Sequence, residues 1–289
     1  MGKTVLYQFE NDYREIDCGM FYAIRCRDGS FFLIDSAHQD SYRDHIRIHD
    51  FLKSLVPEGE KIRIAGWFFS HAHQDHIVKF MDFVKKGYTD CEIECLYYNF
   101  PDPDGPSSEY WKESDRVTMR EFADLMEERD DLKKYTPHTG DEIRISNLKI
   151  DVLVTWEDIA PEPIERFNDS STVIMIEAEG QKIFFPGDAG EVEAKILTER
   201  YGESLKADIL QLSHHGFRGG SVELYELVNA PVVLVPTEKK RLEENLERET
   251  TKKALELAEE YFIAGEGTVA LELPYKTGTA KKYPKEVNR

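Results

Sequence analysis

The chain has 289 residues, with 37 Lys or Arg against 56 Asp or Glu, a formal net charge of −19. That length can bury a substantial core, and so acidic a surface repels polyanions, which disfavours non-specific nucleic-acid binding unless a metal cleft reverses the sign locally. No apolar run approaches the roughly 18 residues of a membrane span, and the opening Met1-Gly2-Lys3-Thr4 has no apolar signal segment, so the expected address is the cytoplasm.

Residues 4–9 read as a first strand. Residues 21–26 and 31–34 flank Arg27-Asp28-Gly29-Ser30, a hairpin signal, and the second of these strands ends on Asp35. Residues 41–55 place Ile48, Phe51, Leu52 and Leu55 on one helical face, with His38, His45 and His49 around it facing solvent. Residues 62–70 are aromatic and branched enough for a buried strand. They lead into His71-Ala72-His73-Gln74-Asp75-His76, after which the spacing of Ile77, Phe80, Met81 and Val84 predicts a helix starting near His76. Residues two apart in an extended segment point the same way, so His71 and His73 can converge on one ion. Asp75 and His76 fall where the chain turns into the helix and point elsewhere. Such an arrangement suits two adjacent metals with one pair of ligands each, and imidazole with carboxylate suits zinc, manganese or iron rather than calcium.

Residues 93–98 read as a strand, Pro101, Pro103, Gly105 and Pro106 as a loop, and 110–129 as helix-like. His138-Thr139-Gly140-Asp141 is a turn before a hairpin of 142–145 and 148–154. Asn168-Asp169-Ser170-Ser171 precedes a strand over 172–177, and residues 182–185 run into Pro186-Gly187-Asp188. A carboxylate at a strand end beside Gly is placed to bridge two ions; otherwise it caps the helix expected over 191–201. Residues 207–212 form a strand ending in Ser213-His214-His215-Gly216. The order strand-Asp, helix, strand-Ser-His thus occurs twice, through Asp35 and Ser70-His71, then through Asp188 and Ser213-His214. A duplicated sandwich presenting ligands from both halves at one edge reads this way. The echo ranks His214 above His215 as metal ligand and leaves His215 for substrate or proton handling. Residues 232–235 read as the last core strand and 238–260 as one solvated helix, amphipathic through Leu242, Leu246, Leu255 and Leu257. Residues 269–273 close a sheet, and 276–289, with Lys276, Lys281, Lys282 and Lys285, form a flexible end. No linker divides the chain, so one domain over 1–289 is expected, with a helical insertion at about 100–135. Cys18, Cys26, Cys91 and Cys95 read as core filler or thiols outside any disulfide, and Cys91 with Cys95 lacks a second Cys pair for a metal site.

His-x-His-x-Asp-His after an apolar strand resembles the metallo-β-lactamase-fold hydrolase superfamily. The resemblance implies an α/β fold, the αββα four-layer sandwich, with a metal site at one edge of the two sheets. It matches Asp35 to an Asp that buttresses the ligands and Asp188 to a bridging Asp. An insertion commonly borders the active site in this superfamily, which makes Tyr98, Tyr110 and Trp111 candidates for a substrate pocket, with core packing as the alternative. Asn-Asp-x-Ser, Pro-Gly-Asp and His-His-Gly resemble one branch in particular. It comprises the soluble hydrolase domain of DNA-uptake competence proteins and phosphorylcholine-esterase relatives, in which an Asn stands, as Asn168 does here, where the third-motif His is usual. That branch implies phosphodiester cleavage. The chain departs from it in lacking channel-type membrane segments, and in having Pro236-Thr237-Glu238-Lys239-Lys240 where a Gly-His-Pro turn often follows the last core strand.

The expectation is therefore metal-assisted hydrolysis of a phosphoester or other small molecule with two divalent ions, zinc first and manganese or iron as alternatives. His71, His73 and Asp188 are assigned to one metal, and Asp75, His76, Asp188 and His214 to the other. Asp75 also orients the attacking hydroxide, and His215 or Asn168 holds the oxyanion or phosphate. The alternatives are hydrolysis of a lactone, thioester or β-lactam, redox chemistry on iron, and a non-catalytic, metal-stabilised interaction protein.

Overall fold

The computed structural model describes residues 2–11 and 18–283; Lys285 and the rest of the expected flexible end beyond 283 lie outside them. The apolar N-terminal runs form antiparallel strands β1 (Thr4–Gln8), β2 (Phe21–Arg25) and β3 (Phe31–Asp35). Helix α1 (Asp44–Ser54) then carries the chain to β4 (Ile62–Phe68), parallel to β3. Helix α2 (Gln74–Lys86), strands β5 (Cys91–Ile93) and β6 (Leu96–Tyr97), helix α3 (Glu113–Glu128) and strand β7 (Lys134–Tyr135) complete this half.

The second sheet starts as an antiparallel meander of β8 (Glu142–Ile145), β9 (Leu148–Val154), β10 (Val173–Ala178) and β11 (Gln181–Phe185). It turns parallel through α4 (Glu191–Tyr201), β12 (Ile209–Gln211), α5 (Val222–Val228), β13 (Val232–Val235), α6 (Lys239–Asn245), α7 (Glu249–Leu257) and β14 (Glu260–Ile263). Strands β15 (Val269–Leu273) and β16 (Lys281–Lys282) return to the first sheet, where β15 pairs with β1. The sheet orders are β16-β15-β1-β2-β3-β4-β6-β7, with β5 also on β4, and β14-β13-β12-β11-β10-β9-β8.

The two-residue alternation of strand side chains decides the layers. Phe32 and Ile34 of β3, with Leu6, Tyr22 and Phe68, meet Ile150, Val152, Ile174, Ile176 and Phe185 between the sheets; Tyr22 stacks edge-on against Phe185 at 5.1 Å. The opposite residues, Phe31 and Leu33, join Trp67 and Phe69 under α1, α2 and α3. Trp67 is fully buried against Phe80 and Phe83 at 5.0 and 5.2 Å, a contact whose loss would cost about 3–5 kcal/mol. Leu210 and Val233 face Ala194, Leu197, Leu224 and Val228 under α4 and α5. The result is the expected αββα order. No helix among the described residues is long and apolar enough to cross a membrane.

Four expectations need correction. The stretch 238–260 is two short helices followed by a strand, because Thr251 anchors α7 to the Gly216 carbonyl at 2.6 Å and its neighbours must bury Leu242 and Ala254 while Leu246 stays 40% exposed. β13 is therefore not the last core strand; β14 pairs beside it in parallel. Lys281 and Lys282 are paired to β15, not free in a tail, and Tyr283 N donates to Thr268 O at 2.8 Å. His49 is half-buried, stacked on Tyr88 at 3.8 Å and bonded to Asp90 at 2.9 Å, rather than facing solvent.

Two parallel β-α-β units, β3-α1-β4 and β11-α4-β12, each deliver their strand ends to the same edge. The halves touch there: Thr172 N donates to Ser70 O at 2.8 Å. Gly187, at φ +60°, lies where a Cβ would meet Ser70 Cβ at 2.8 Å, so no side chain fits between them.

Candidate metal centre

Strand β4 ends at Phe68, and the next residues carry the chain across the sheet edge into α2, whose first turn holds Asp75 and His76. Asp35 sits behind this loop with no solvent exposure and a left-handed φ of +56°, a conformation that costs a non-glycine residue about 1–3 kcal/mol and marks functional sites. Its carboxylate accepts from Ser70 N at 2.8 Å, Ser70 Oγ at 3.0 Å and His76 Nδ1 at 2.9 Å. Three donors thus clamp the Asp35 carboxylate behind the loop. His71 Nε2 lies 2.9 Å from His73 Nδ1 and 3.9 Å from Asp188 Oδ2. Phe167 closes over His73 at 4.6 Å and is itself braced edge-on by Trp111 at 5.0 Å.

From the second half, Pro186-Gly187 turns Asp188 into the same space, where it is 1% exposed. Its backbone N–H donates to Ser171 Oγ at 3.1 Å, and Asn168 Nδ2 donates to its Oδ2 at 2.9 Å. Asn168 therefore braces the Asp188 carboxylate. His214 and His215 both take left-handed φ, +48° and +55°. This pair of strained residues points both rings inward. His214 Nε2 stands 3.9 Å from Asp188 Oδ2 and remains 21% exposed. His215 is 2% exposed, with Nε2 at 2.9 Å from Asp75 Oδ2 and 3.5 Å from Asp188 Oδ2.

Proton counting tests whether cations fit. A carboxylate or carbonyl oxygen only accepts, so His76 Nδ1 gives its hydrogen to Asp35, and His215 Nδ1 gives its hydrogen to Pro236 O at 2.8 Å. In its neutral form each ring turns a bare Nε2 lone pair inward. That of His76 faces Asp188 Oδ1 at 3.5 Å and Asp75 Oδ2 at 3.7 Å. His76 Nε2, His215 Nε2 and Asp188 Oδ1 are buried without a hydrogen-bond partner. Lone pairs facing lone pairs in a buried site can be reconciled by protons or by cations. Burial lowers the pKa of His76 and His215, yet Asp188 and Asp75 raise both above the ordinary value. Burial raises Asp75 and Asp188, yet the imidazoles around them, His76 and His215 foremost, hold both well below the carboxylate range. Burial lowers His214 to about 4, against the opposing pull of Asp188 and Asp75. Carboxylates held ionised and imidazoles oriented through their second nitrogen are the state that binds a divalent ion, so the residues fit the metals.

Two ligand groups emerge among the described residues: His71 with His76 and Asp188, and Cys18 with Asp75 and His215, each with ligand atoms within 4.8 Å of one another. All the residues named from the sequence come together, but the grouping differs from the one drawn there. His76 stands with His71 and Asp188, and His215, not His214, is the deeper ring on Asp75. Cys18, the Pro236 carbonyl and Phe167 were missed; none carries a local signal. Trp111 is 7% exposed and donates its Nε1–H to Ile164 O at 2.8 Å, Tyr98 packs on Phe122, and Tyr110 is 48% exposed, so packing prevails for the first two. Cys91 and Cys95 enter no ligand group. A cleft of about 310 Å³ lined by Asp151, Leu153, Met175, Lys182 and Tyr201 lies beside α4 and shares none of these ligands.

The family model described as the metallo-beta-lactamase superfamily matches residues 19–236. The fold is similar to that of the metallo-beta-lactamase fold protein YhfI from Bacillus subtilis, with a TM-score of 0.52 at 13% identity over 90% of this chain and 96% of that one. More distant likenesses are to CmlA, a diiron beta-hydroxylase from Streptomyces venezuelae (TM-score 0.48, 11% identity, 89% of this chain but only 48% of that one), and to Zn(2+)-bound PqqB from Methylobacterium extorquens (TM-score 0.47, 13% identity, 89% and 87%). No curated protein matches the sequence. At these identities the likeness extends to the fold alone.

Proposed function

The chain belongs to the metallo-beta-lactamase superfamily, whose members are mainly metal-dependent hydrolases, and we propose that it hydrolyses phosphodiester or related phosphoester bonds. Bound at this centre, two divalent cations supply a water acidified to near neutral pH and neutralise charge on the substrate oxygens. His71, with His73 beside it, His76 and Asp188 would hold one cation, and Asp75 and His215 the other. Asp35, Asn168 and the Pro236 carbonyl keep the ligand atoms aimed inward. Asp75, 16% exposed, also accepts a hydrogen bond from the attacking water, and the partly open His214 meets the substrate at the mouth. Zinc is the expected metal, because the donors are imidazole and carboxylate in a small, closed group.

The observation that favours a phosphoester is a cluster of arginines beside the centre. In a chain of net charge −19, the guanidinium groups of Arg218, Arg241 and Arg248 gather over the Phe217 ring at 5.1, 5.2 and 4.4 Å. Phe217 packs edge-on against His214 at 5.6 Å. Arginine beside a metal centre recognises phosphate oxygens in bidentate fashion.

The test is a substrate panel with zinc- and manganese-loaded protein: bis(nitrophenyl) phosphate, a phosphomonoester, a lactone, a thioester and a β-lactam. The expected result is turnover of the phosphodiester and a loss on the order of 10²–10⁴-fold in Asp75→Ala, in line with removal of a proton-accepting group, with an unchanged circular-dichroism spectrum. Turnover of only the lactone or thioester, or full activity in Asp75→Ala, overturns the reading.

A further inference from the structure

Cys18 stands among the ligands, although nothing in its sequence context marks it. Its Sγ lies 3.6 Å from Asp75 Oδ2, and its sulfur, that oxygen and His215 Nε2 are mutually within 4.8 Å. Backbone bonds fix the residue on both sides. Cys18 pairs antiparallel with Thr237, next to the Pro236 whose carbonyl orients His215. Met20 N donates to Asp75 O at 3.2 Å, which ties the same segment to the other partner. Gly19 between them, at φ +142°, lies where a Cβ would fall 2.5 Å from Asn11 Nδ2, so the chain passes there only as glycine. Independently of the sulfur, His215 Nε2 is buried and points into this group, and although Asp75 Oδ2 lies 2.9 Å away the two do not align as a hydrogen bond.

We propose that Cys18, as a thiolate, is the third protein ligand beside Asp75 and His215 for one of the two cations. The assignment deepens the hydrolase reading and rests on its metal centre. Zinc bonds of about 2.3 Å to sulfur and about 2.0 Å to oxygen, at a tetrahedral angle, place those two atoms ~3.5 Å apart, which is the separation found here within a tenth of an ångström. Metal binding takes the thiol proton to solvent and leaves sulfur as the donor. A thiolate, carboxylate and imidazole together make this position softer than the all-imidazole and carboxylate position beside it. The softer position selects zinc or another thiophilic ion over magnesium and calcium.

Cobalt(II) substitution reads the sulfur directly. The wild-type protein loaded with cobalt is expected to show a near-ultraviolet thiolate-to-cobalt charge-transfer band that is lost in Cys18→Ser and retained in Cys91→Ser. Elemental analysis after gel filtration is expected to fall from two zinc ions per chain to one in Cys18→Ser. A measurement needing no variant is iodoacetamide labelling of Cys18, read by peptide mass, which is expected to be suppressed by zinc and restored by chelation. Absence of the band from wild-type protein, its persistence in Cys18→Ser, or labelling indifferent to zinc overturns the proposal. The band and the labelling report ligation whatever bond is cleaved, so failure here is distinguishable from failure of the phosphodiester reading.

Discussion

Asp35 and His76 share a hydrogen bond of 2.9 Å between two side chains with no solvent exposure, one ending β3 and the other in the first turn of α2. The bond fixes Nδ1 as the donor and turns Nε2 toward Asp188 and Asp75, the orientation a metal-ligating imidazole takes.

Asp35→Asn keeps the size and the left-handed backbone that Asn tolerates but turns one acceptor oxygen into an NH2 donor, so that with Ser70 N still satisfied a donor faces His76 Nδ1. Metal affinity is expected to fall about 10–100-fold, the usual cost of losing such a partner. Competition titration against a zinc chelator measures it, and unchanged affinity would remove Asp35 from the account.

Asp188 addresses both ligand groups, through Oδ1 toward His76 and Oδ2 toward His71, His214 and His215. Asp188→Ala is therefore expected to lose both metals, where a loss confined to one would show that the groups are independent. Elemental analysis of the purified variant distinguishes the two.

Chelation should destabilise the whole fold, because the ligands come from both sheets. Free cation at about 100-fold over its dissociation constant contributes about 2.7 kcal/mol. Treatment with a chelator is expected to lower the melting temperature by several degrees, with recovery on adding zinc. A melting curve indifferent to chelator would mean that the described arrangement forms equally well without ions.

Phe167 lies between His73 and Trp111. Phe167→Ala is expected to cost about 3–5 kcal/mol by urea unfolding and to weaken metal retention, since His73 loses the surface that confines its ring. Lost stability with full metal retention would make Phe167 a packing residue only.

Behind the centre, Glu193 is fully buried, accepts from Gly190 N at 3.0 Å, and is raised well above the ordinary carboxyl range by burial and then by Asp169. A folded state that keeps a proton the unfolded chain has released loses stability as pH rises. The contribution is whole below about pH 4.3, the unfolded value, and declines above it. Glu193→Gln keeps an acceptor for Gly190 and cannot ionise, so its stability relative to wild type is expected to grow from pH 5 to pH 8 at equal metal saturation. A constant difference by denaturant titration over that range would refute this.

By itself the sequence determined the fold order and most of the residues that meet at the centre. Alternation in β3 and β4, the helix after His76 and the repeated strand-Asp, helix, strand-Ser-His pattern are local, and local pattern is what a period of two or 3.6 residues records. What only the tertiary structure decided was the grouping. His214 and His215 are adjacent, both left-handed, and no periodicity says which ring reaches Asp75; the Pro236 carbonyl decides, from just past the end of β13, 21 positions further on. Cys18 becomes a neighbour of Asp75 only because β1 and β2 pair in the sheet that β4 extends, and the split of 238–260 into two helices depends on a hydroxyl bond from Thr251 to Gly216. Each of these depends on sheet register and loop closure, which bring distant atoms within ångströms and leave no trace in neighbouring residues.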